Sequence, residues 1–311
     1  MDRLDAMVVF RDAVETGSLS AAGRKLGIPL ATVSRKLSEL EKHLGARLLN
    51  RSTRQLILTD AGRDYLVACK RILEDVVEAE HAAAGEYNEP RGDLVITAPI
   101  VFGRLHVLPM IAEFLAVFPE VNVRLVQGDH IVNLFEDHVD LAVRVGTLPD
   151  SSLAAMRIGT ISRVVCASPG YLARRGTPRV PSDLATHSCV SFEQLGSAAA
   201  WMFPVDGNEV SVPVASRLIV NTAEAAIDAA IAGVGLTRVL SYQVADACRS
   251  GKLEIVLQPF EPAAVPVSLV HAGQRRLPLK LRAFLDYAAP RLRERLATPR
   301  TTAAPSGRRG R

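Results

Sequence analysis

The sequence predicts an α/β protein that begins with a smaller domain of all-α type. Its 311 residues are more than one ordinary core accommodates. The first 50 residues show helical patterns interrupted by glycine and proline, and from residue 94 onward short apolar strands alternate with helices. We therefore expect two or three domains.

Residues 17–37 predict two short helices joined by a tight turn. Ser18 suits the N-cap of the first helix, Gly27 suits the left-handed position that ends it, and Pro29 is tolerated in the first turn of the second. The polar side chains expected to point outward from the second helix are Thr32, Ser34, Arg35 and Lys36. Such a face suits the major groove of DNA. An ordinary helical hairpin with a solvated polar face is the alternative.

A short β-rich run follows this helix pair and favours the DNA interpretation. Arg51 and Arg54 flank a turn before the run 56–58, which predicts a wing, and six basic residues oppose two acidic ones between Ser34 and Arg54. Phosphate contacts require that sign of charge. The predicted DNA-contact residues are Ser18, Leu30, Ala31, Thr32, Ser34, Arg35, Lys36, Arg51, Thr53 and Arg54.

The next segment, residues 60 to about 86, predicts a long amphipathic helix. Its apolar seam comprises Leu66, Cys69, Leu73 and Val76. A helix of this length that leaves a small DNA-binding domain suggests dimerisation, whereas packing against its own chain is the alternative. Pro90 and Gly92 then end the helix and form a hinge.

The remainder predicts an α/β domain with a largely parallel sheet. The expected strands are 94–98, 121–126, 141–145, 164–167, 218–220, 236–240 and 267–270. The expected helices are 101–118, 131–138, 222–232 and 279 to about 289.

The order of these motifs resembles that of the LysR-type transcriptional regulators. Over residues 4–66 the resemblance rests on Gly17-Ser18-Leu19, Val33-Ser34-Arg35, Leu40-Glu41, Leu44-Gly45, Leu58-Thr59 and Ala61-Gly62. Over residues 92–292 it is looser and rests on Asp140-Leu141-Ala142 and on 232–236, among others. One departure is that Pro29-Leu30-Ala31-Thr32 replaces the family's common Ser-Gln-Pro-Ala, and Leu30 cannot hydrogen-bond a base edge.

The resemblance implies a domain order and partners. The expected parts are a winged helix-turn-helix domain (1–60), a linker and dimerisation helix with a hinge (61–90), a two-lobed effector domain resembling periplasmic binding proteins (91–292) and a basic disordered tail (293–311). The implied partners are double-stranded DNA with an interrupted-palindrome operator, a small-molecule effector, and further copies of the chain as a homodimer and tetramer.

The expected effector site lies between the two lobes, where helices begin at the carboxyl ends of strands. Backbone N–H groups and positive helix ends favour an anion there, and apolar neighbours favour a small organic acid. The residues that match the family's pattern are Thr97, Pro99, Ile100, Val101, Gly146, Asn221 and Thr222. The alternative is that Asn221 only caps a helix and Thr97 only pairs within a sheet.

Catalytic and metal-binding patterns are not expected in this chain. It has no GxSxG, P-loop or HExxH motif, and its seven histidines lack metal-ligand spacing. Gly233-Val234-Gly235 is interpreted as a helix C-terminus, since it precedes a strand rather than following one. We therefore expect no enzyme activity and no cofactor. Most of the four cysteines are expected to be small buried residues, with a redox role for Cys166 or Cys189 as the alternative.

Charge and targeting signals complete the prediction. The chain has a net charge of +4, of which the segment from Arg291 onward contributes +6, so the first 290 residues are near −2. Neither a signal peptide nor a membrane span is expected, which predicts a cytoplasmic protein. A solute-binding or enzymatic α/β protein with an oligomerising N-terminus is the second hypothesis, and the absent leader and catalytic motifs disfavour it.

Overall fold

A computed structural model describes residues 2–51, 56–83, 89–130, 132–134, 136–149, 152–192, 200–273 and 277–297. The chain divides into two compact units: Met1–Gly92 with Arg276–Lys280, and Asp93–Arg275 with Leu281–Arg311. Each unit has its own apolar core.

The N-terminal unit begins with three helices, α1 (Arg3–Glu15), α2 (Leu19–Leu26) and α3 (Leu30–Leu44). The helix ends follow the expected chemistry, since Ser18 caps α2 and Gly27 ends it at φ 67°. Small residues let these helices approach closely, and the largest side chains buried between them are Phe10, Leu37 and Leu40.

A small wing and a long helix complete this unit. Strands β1 (Leu49–Arg51) and β2 (Leu56–Leu58) pair antiparallel, and α4 runs from Asp60 to Ala83. Gly62 in the first turn of α4 lies so close to the Leu48 carbonyl that an added Cβ would be 2.9 Å from the carbonyl carbon. Thr59 helps to hold this junction, because its hydroxyl accepts the Gly62 N–H at 2.9 Å.

The second unit contains two five-stranded sheets. The first sheet has the order β4-β3-β5-β14-β6. Its strands are β3 (Gly92–Ala98), β4 (Val121–Gln127), β5 (Leu141–Val145), β6 (Leu153–Ile161) and β14 (Val265–Ala272). Its helices are α5 (Ile100–Phe102), which continues through a π-helical turn at Gly103–Val107 into α6 (Leu108–Val117), and α10 (Leu279–Ala297).

The second sheet has the order β11-β8-β12-β7-β13. Its strands are β7 (Arg163–Ala167), β8 (Ser188–Phe192), β11 (Ala215–Val220), β12 (Leu236–Leu240) and β13 (Glu254–Val256). Its helices are α7 (Pro169–Arg175), α8 (Ala223–Ile231) and α9 (Ala245–Arg249). A hairpin of β9 (Ala200–Val205) and β10 (Asn208–Pro213) covers the core beside it with Trp201 and Phe203.

The paired antiparallel strands β6 and β14 lead out of and back into the first sheet, which gives the expected two-lobed topology. Two predictions were wrong in detail. The sheets are mixed rather than largely parallel, because β14, β7 and β13 pair antiparallel with their neighbours. The expected helix at 131–138 does not form in its described residues, which make turns. His138 adopts φ 51°, and the Asp137 side chain accepts the Asn133 N–H, so the chain reverses locally.

The helical stretch Ile100–Val117 is long and apolar enough to cross a membrane by length and composition. The core helix of an α/β domain passes the same test, and here Val107, Met110 and Phe114 lie buried. We therefore assign this stretch to the core of the first lobe.

Candidate nucleic-acid interface and effector site

The predicted recognition helix, α3, is anchored by buried Val33, Leu37 and Leu40. Its opposite face is open, since Leu30 is 49% exposed and both Ala31 and Arg35 are exposed. Thr32 and Ser34 are half-buried at the edges of that face. The structure therefore brings six of the predicted DNA-contact residues onto α3, and five of them lie on or beside its open face, with Arg35 as the exposed cation among them.

Two further predicted DNA-contact residues, Lys36 and Ser18, have partners within the helical domain. Lys36 forms an ion pair with Asp5 of α1, and its side chain is only 20% exposed. The Ser18 hydroxyl accepts the Ala21 N–H as the N-cap of α2. Because α1 packs beside α3 and offers Lys36 a carboxylate, a DNA contact by Lys36 would compete with this ion pair, and that contact stays a prediction.

The wing is held by Glu41, which the sequence analysis named only as part of a family motif, without a role. The Glu41 Oε1 atom accepts the backbone N–H groups of Leu48 at 2.9 Å and Leu49 at 3.1 Å. Both residues are almost fully buried, so these donors have little access to water. Glu41 thus fixes the angle between α3 and β1. Arg51 lies in β1 with its side chain outside the described part, and Thr53 and Arg54 lie outside the described residues.

A buried carboxylate joins the first two helices. Asp12 of α1 is fully buried and pairs with Arg11 at 2.9 Å and with Lys25 of α2 at 3.1 Å. Sequence reasoning missed this residue, because an aspartate in the middle of a helix gives no sign of burial by itself. The pair supports α2, against which α3 packs.

The predicted dimer seam on α4 is partly used within its own chain. Cys69 is buried and Leu66 is packed in the core of the helical domain, beside the ring contact between Phe10 and Tyr65. Burial raises the pKa of the Cys69 thiol to about 11, so it stays protonated at neutral pH. Leu73 is 8% exposed and Val76 is half-buried, whereas the apolar side chains that α4 exposes are Val67, Ile72 and Val77.

Three of the expected effector residues, Thr97, Pro99 and Ile100, lie around the end of β3. Thr97 is almost fully buried and opposite Ala142 of β5, and Pro99 precedes α5. The Ile100 N–H, the expected anion donor, already donates to the Asp129 Oδ1 atom at 3.1 Å. The Asp129 carboxylate therefore already accepts the backbone N–H at the start of α5.

The remaining expected residues have distinct surroundings. Thr222 caps α8 by accepting the Ala225 N–H at 3.3 Å, and Asn221 beside it is exposed. Gly146 has φ 119°, and its N–H donates to the Pro266 carbonyl at 2.8 Å. Val101 is packed into the apolar core of the second lobe rather than at a surface. The structure thus shows structural roles for Thr222 and Val101, and an effector role for either stays a prediction.

Aromatic side chains from the two lobes meet beside two carboxylates. Phe102 and His106 from the first lobe contact the ring of Tyr242 from the second, with centroids 5.5 Å apart in each case. Burial raises the pKa of the Tyr242 hydroxyl, and the nearby carboxylates of Asp129 and Glu224 raise it further. Burial lowers the pKa of His106, so this interface prefers an uncharged imidazole.

The glycine motif at 233–235 and two of the cysteines have surroundings that indicate a structural role. The Gly233 N–H and the Val234 N–H close the end of α8 by donating to the carbonyls of Ala230 and Ala229, as expected for a helix C-terminus. Burial raises the pKa of Cys189 to about 12 and that of Cys166 further, which disfavours a reactive thiolate. Among the described residues no cluster of metal-ligating side chains occurs.

Comparisons with known proteins agree with this geometry. Residues 4–63 match the family model of the bacterial regulatory helix-turn-helix protein, lysR family, and residues 87–293 match the LysR substrate binding domain. An HTH-type transcriptional regulator of Xanthomonas campestris pv. campestris is 36% identical, with 93% of this chain and 85% of that protein covered. The HTH-type transcriptional activator AaeR of Escherichia coli K12 is 32% identical, with 92% and 93% covered.

A solved structure gives the same result. CrgA, a LysR-type transcriptional regulator from Neisseria meningitidis, superposes with a TM-score of 0.60 at 31% identity, covering 93% of this chain and 98% of that one. The helix-turn-helix unit and the two-sheet α/β unit together define a DNA-binding regulator with a substrate-binding domain. The chain belongs to the LysR-type transcriptional regulator family. The predicted family and fold class are thereby confirmed.

Proposed function

We propose that the chain is a cytoplasmic, non-enzymatic LysR-type regulator that binds a promoter operator and responds to a small anionic effector. The observation that supports it most is the open face of α3, where exposed Arg35 lies on a helix anchored by Val33 and Leu37. An exposed arginine on a rigid helix suits guanine recognition in the major groove.

The proposal assigns the protein's parts to separate tasks. Residues 1–60 contact DNA, 61–90 connect and dimerise, 91–292 bind the effector, and the basic segment 293–311 follows. The exposed apolar side chains of α4 favour a homodimer, which matches a two-fold operator, and two dimers would form the tetramer. An anion is supported by the two-lobed fold, because ligands of α/β folds bind outside the carboxyl ends of parallel strands, and the cation that holds it must lie away from Asp129.

DNA binding is tested with the full-length protein and duplexes enriched from a randomised library. Arg35→Ala is expected to weaken the selected duplex by about 5- to 150-fold and to relax the base preference at one position. Arg54→Ala is expected to weaken all duplexes alike and to lower the salt dependence. Arg179→Ala, an exposed arginine of the other unit, serves as control. Failure to enrich any duplex, or wild-type affinity in both variants, would refute the proposal.

A further inference from the structure

One face of the first sheet presents a cation beside the predicted effector residues. Arg144 and Ala142 project from the same side of β5, because they are two positions apart. Ala142 is opposite Thr97 of β3, and Arg144 is opposite the buried Ser268 of β14. Thr97, Arg144 and Ser268 therefore share one face near the carboxyl ends of β3 and β5, and Gly146 follows at the rim.

The Arg144 guanidinium lies at the edge of an apolar layer. It donates one hydrogen bond to the Val132 carbonyl and lies half-buried. The layer beside it comprises Val132, Leu134 and Val139 together with Ala142 and Val270. Burial lowers the pKa of Arg144, yet a guanidinium remains charged at neutral pH. The result is a cation with reduced hydration beside buried apolar side chains.

Two described acidic residues near Arg144 in the chain, Asp137 and Asp140, form hydrogen bonds with the backbone. The Asp137 Oδ2 atom accepts the Asn133 N–H at 2.9 Å, and the Asp140 Oδ2 atom accepts the Val95 N–H at 2.7 Å. Within the described ranges, no carboxylate forms an ion pair with Arg144. Half-buried cations ordinarily have a counter-charge, so a bound anion would suit this site.

The start of α5, at the lobe junction, is a weaker site for an anion than Arg144. Asp129 already accepts the Ile100 N–H, and its negative charge would repel a carboxylate placed there. The anchoring charge must therefore come from elsewhere on the sheet.

We propose that Arg144 binds the carboxylate of the effector through its guanidinium, with Thr97 and Ser268 beside it and the apolar layer of Val132, Leu134 and Val139 against the hydrophobic body. The proposal rests on the proposed function and adds the anchoring residue and the ligand class, a small monocarboxylate with an apolar body. A planar guanidinium matches a carboxylate with two parallel hydrogen bonds.

The test uses full-length protein and two matched probe pairs, hexanoate with hexanamide and phenylacetate with phenylacetamide. Thermal shift and isothermal titration are measured for wild type, Arg144→Gln and Arg144→Lys. Arg124→Gln, an exposed arginine of the same sheet, is the control. The carboxylates are expected to bind wild type and the control, and the amides much more weakly. Arg144→Gln should lower carboxylate affinity by about 10- to 100-fold, the effect of losing charged hydrogen bonds.

Three results would overturn the proposal: equal carboxylate binding by wild type and Arg144→Gln, equal binding of acids and amides, or no binding of either acid by wild type. If Arg144→Gln does not fold, Arg144→Lys decides, because it keeps the charge and should retain an acid preference with reduced affinity. A purely structural Arg144 would lower the melting temperature without ligand and leave the ligand-induced shift unchanged. Binding of the selected duplex, measured in parallel, separates failure of this site from failure of the regulator assignment.

Discussion

Replacing Glu41 should loosen the wing and destabilise the DNA-binding unit. Its side chain satisfies the N–H groups of Leu48 and Leu49, which are nearly fully buried. Each buried donor left without a partner costs about 1–3 kcal/mol, so the loss of both bonds in Glu41→Ala should lower the free energy of unfolding of this unit by about 2–6 kcal/mol. Glu41→Gln keeps an acceptor oxygen but loses the charge, and its cost should be about 1–2 kcal/mol.

Differential scanning calorimetry and urea unfolding of the full-length protein measure this effect. In a unit of this size, 1 kcal/mol corresponds to about 4–8 °C in the melting temperature of its transition. Glu39→Ala, an exposed position on the same helix, is the control and should change stability by less than about 0.5 kcal/mol. If Glu41→Ala melts like Glu39→Ala, the two hydrogen bonds do not support the wing. Affinity for the selected duplex should fall with Glu41→Ala, because the wing loses its fixed angle to α3.

Three further predictions concern packing, pH and association. Gly235→Ala should destabilise the second unit by about 1–3 kcal/mol in urea unfolding, because the added Cβ would lie 2.7 Å from the Ser188 carbonyl carbon; unchanged stability would show that the strand moves freely. Burial lowers the pKa of His187, so the unfolded chain binds its proton first and stability should fall as pH drops below about 6.5. His187→Gln should flatten this slope in unfolding measured between pH 7 and 5, and an unchanged slope would contradict the assignment. Ile72→Glu, at an exposed apolar position of α4, should give a smaller species in sedimentation, and an unaltered mass would place the dimer interface elsewhere.

Local chemistry explains why the helical elements were predictable. Ser18 caps α2, Gly27 ends it, and Gly233 ends α8, because each choice depends on hydrogen bonds within three or four residues. The strands 94–98 and 236–240 were likewise found from short apolar runs. The helix expected at 131–138 was wrong because a periodic pattern does not register the side-chain hydrogen bond between Asp137 and the Asn133 backbone.

The sequence by itself determined the family, the two-part architecture and the face of α3 that presents Arg35, since these follow from local patterns and their order along the chain. Only the tertiary structure showed that Lys36 pairs with Asp5, 31 positions away, and that Asp129 takes the Ile100 N–H from 29 positions away. The same holds for Arg144, whose neighbours come from three strands and a loop. Charge and hydrogen-bonding partners between distant segments depend on how strands and helices pack, and no periodicity in one segment encodes them.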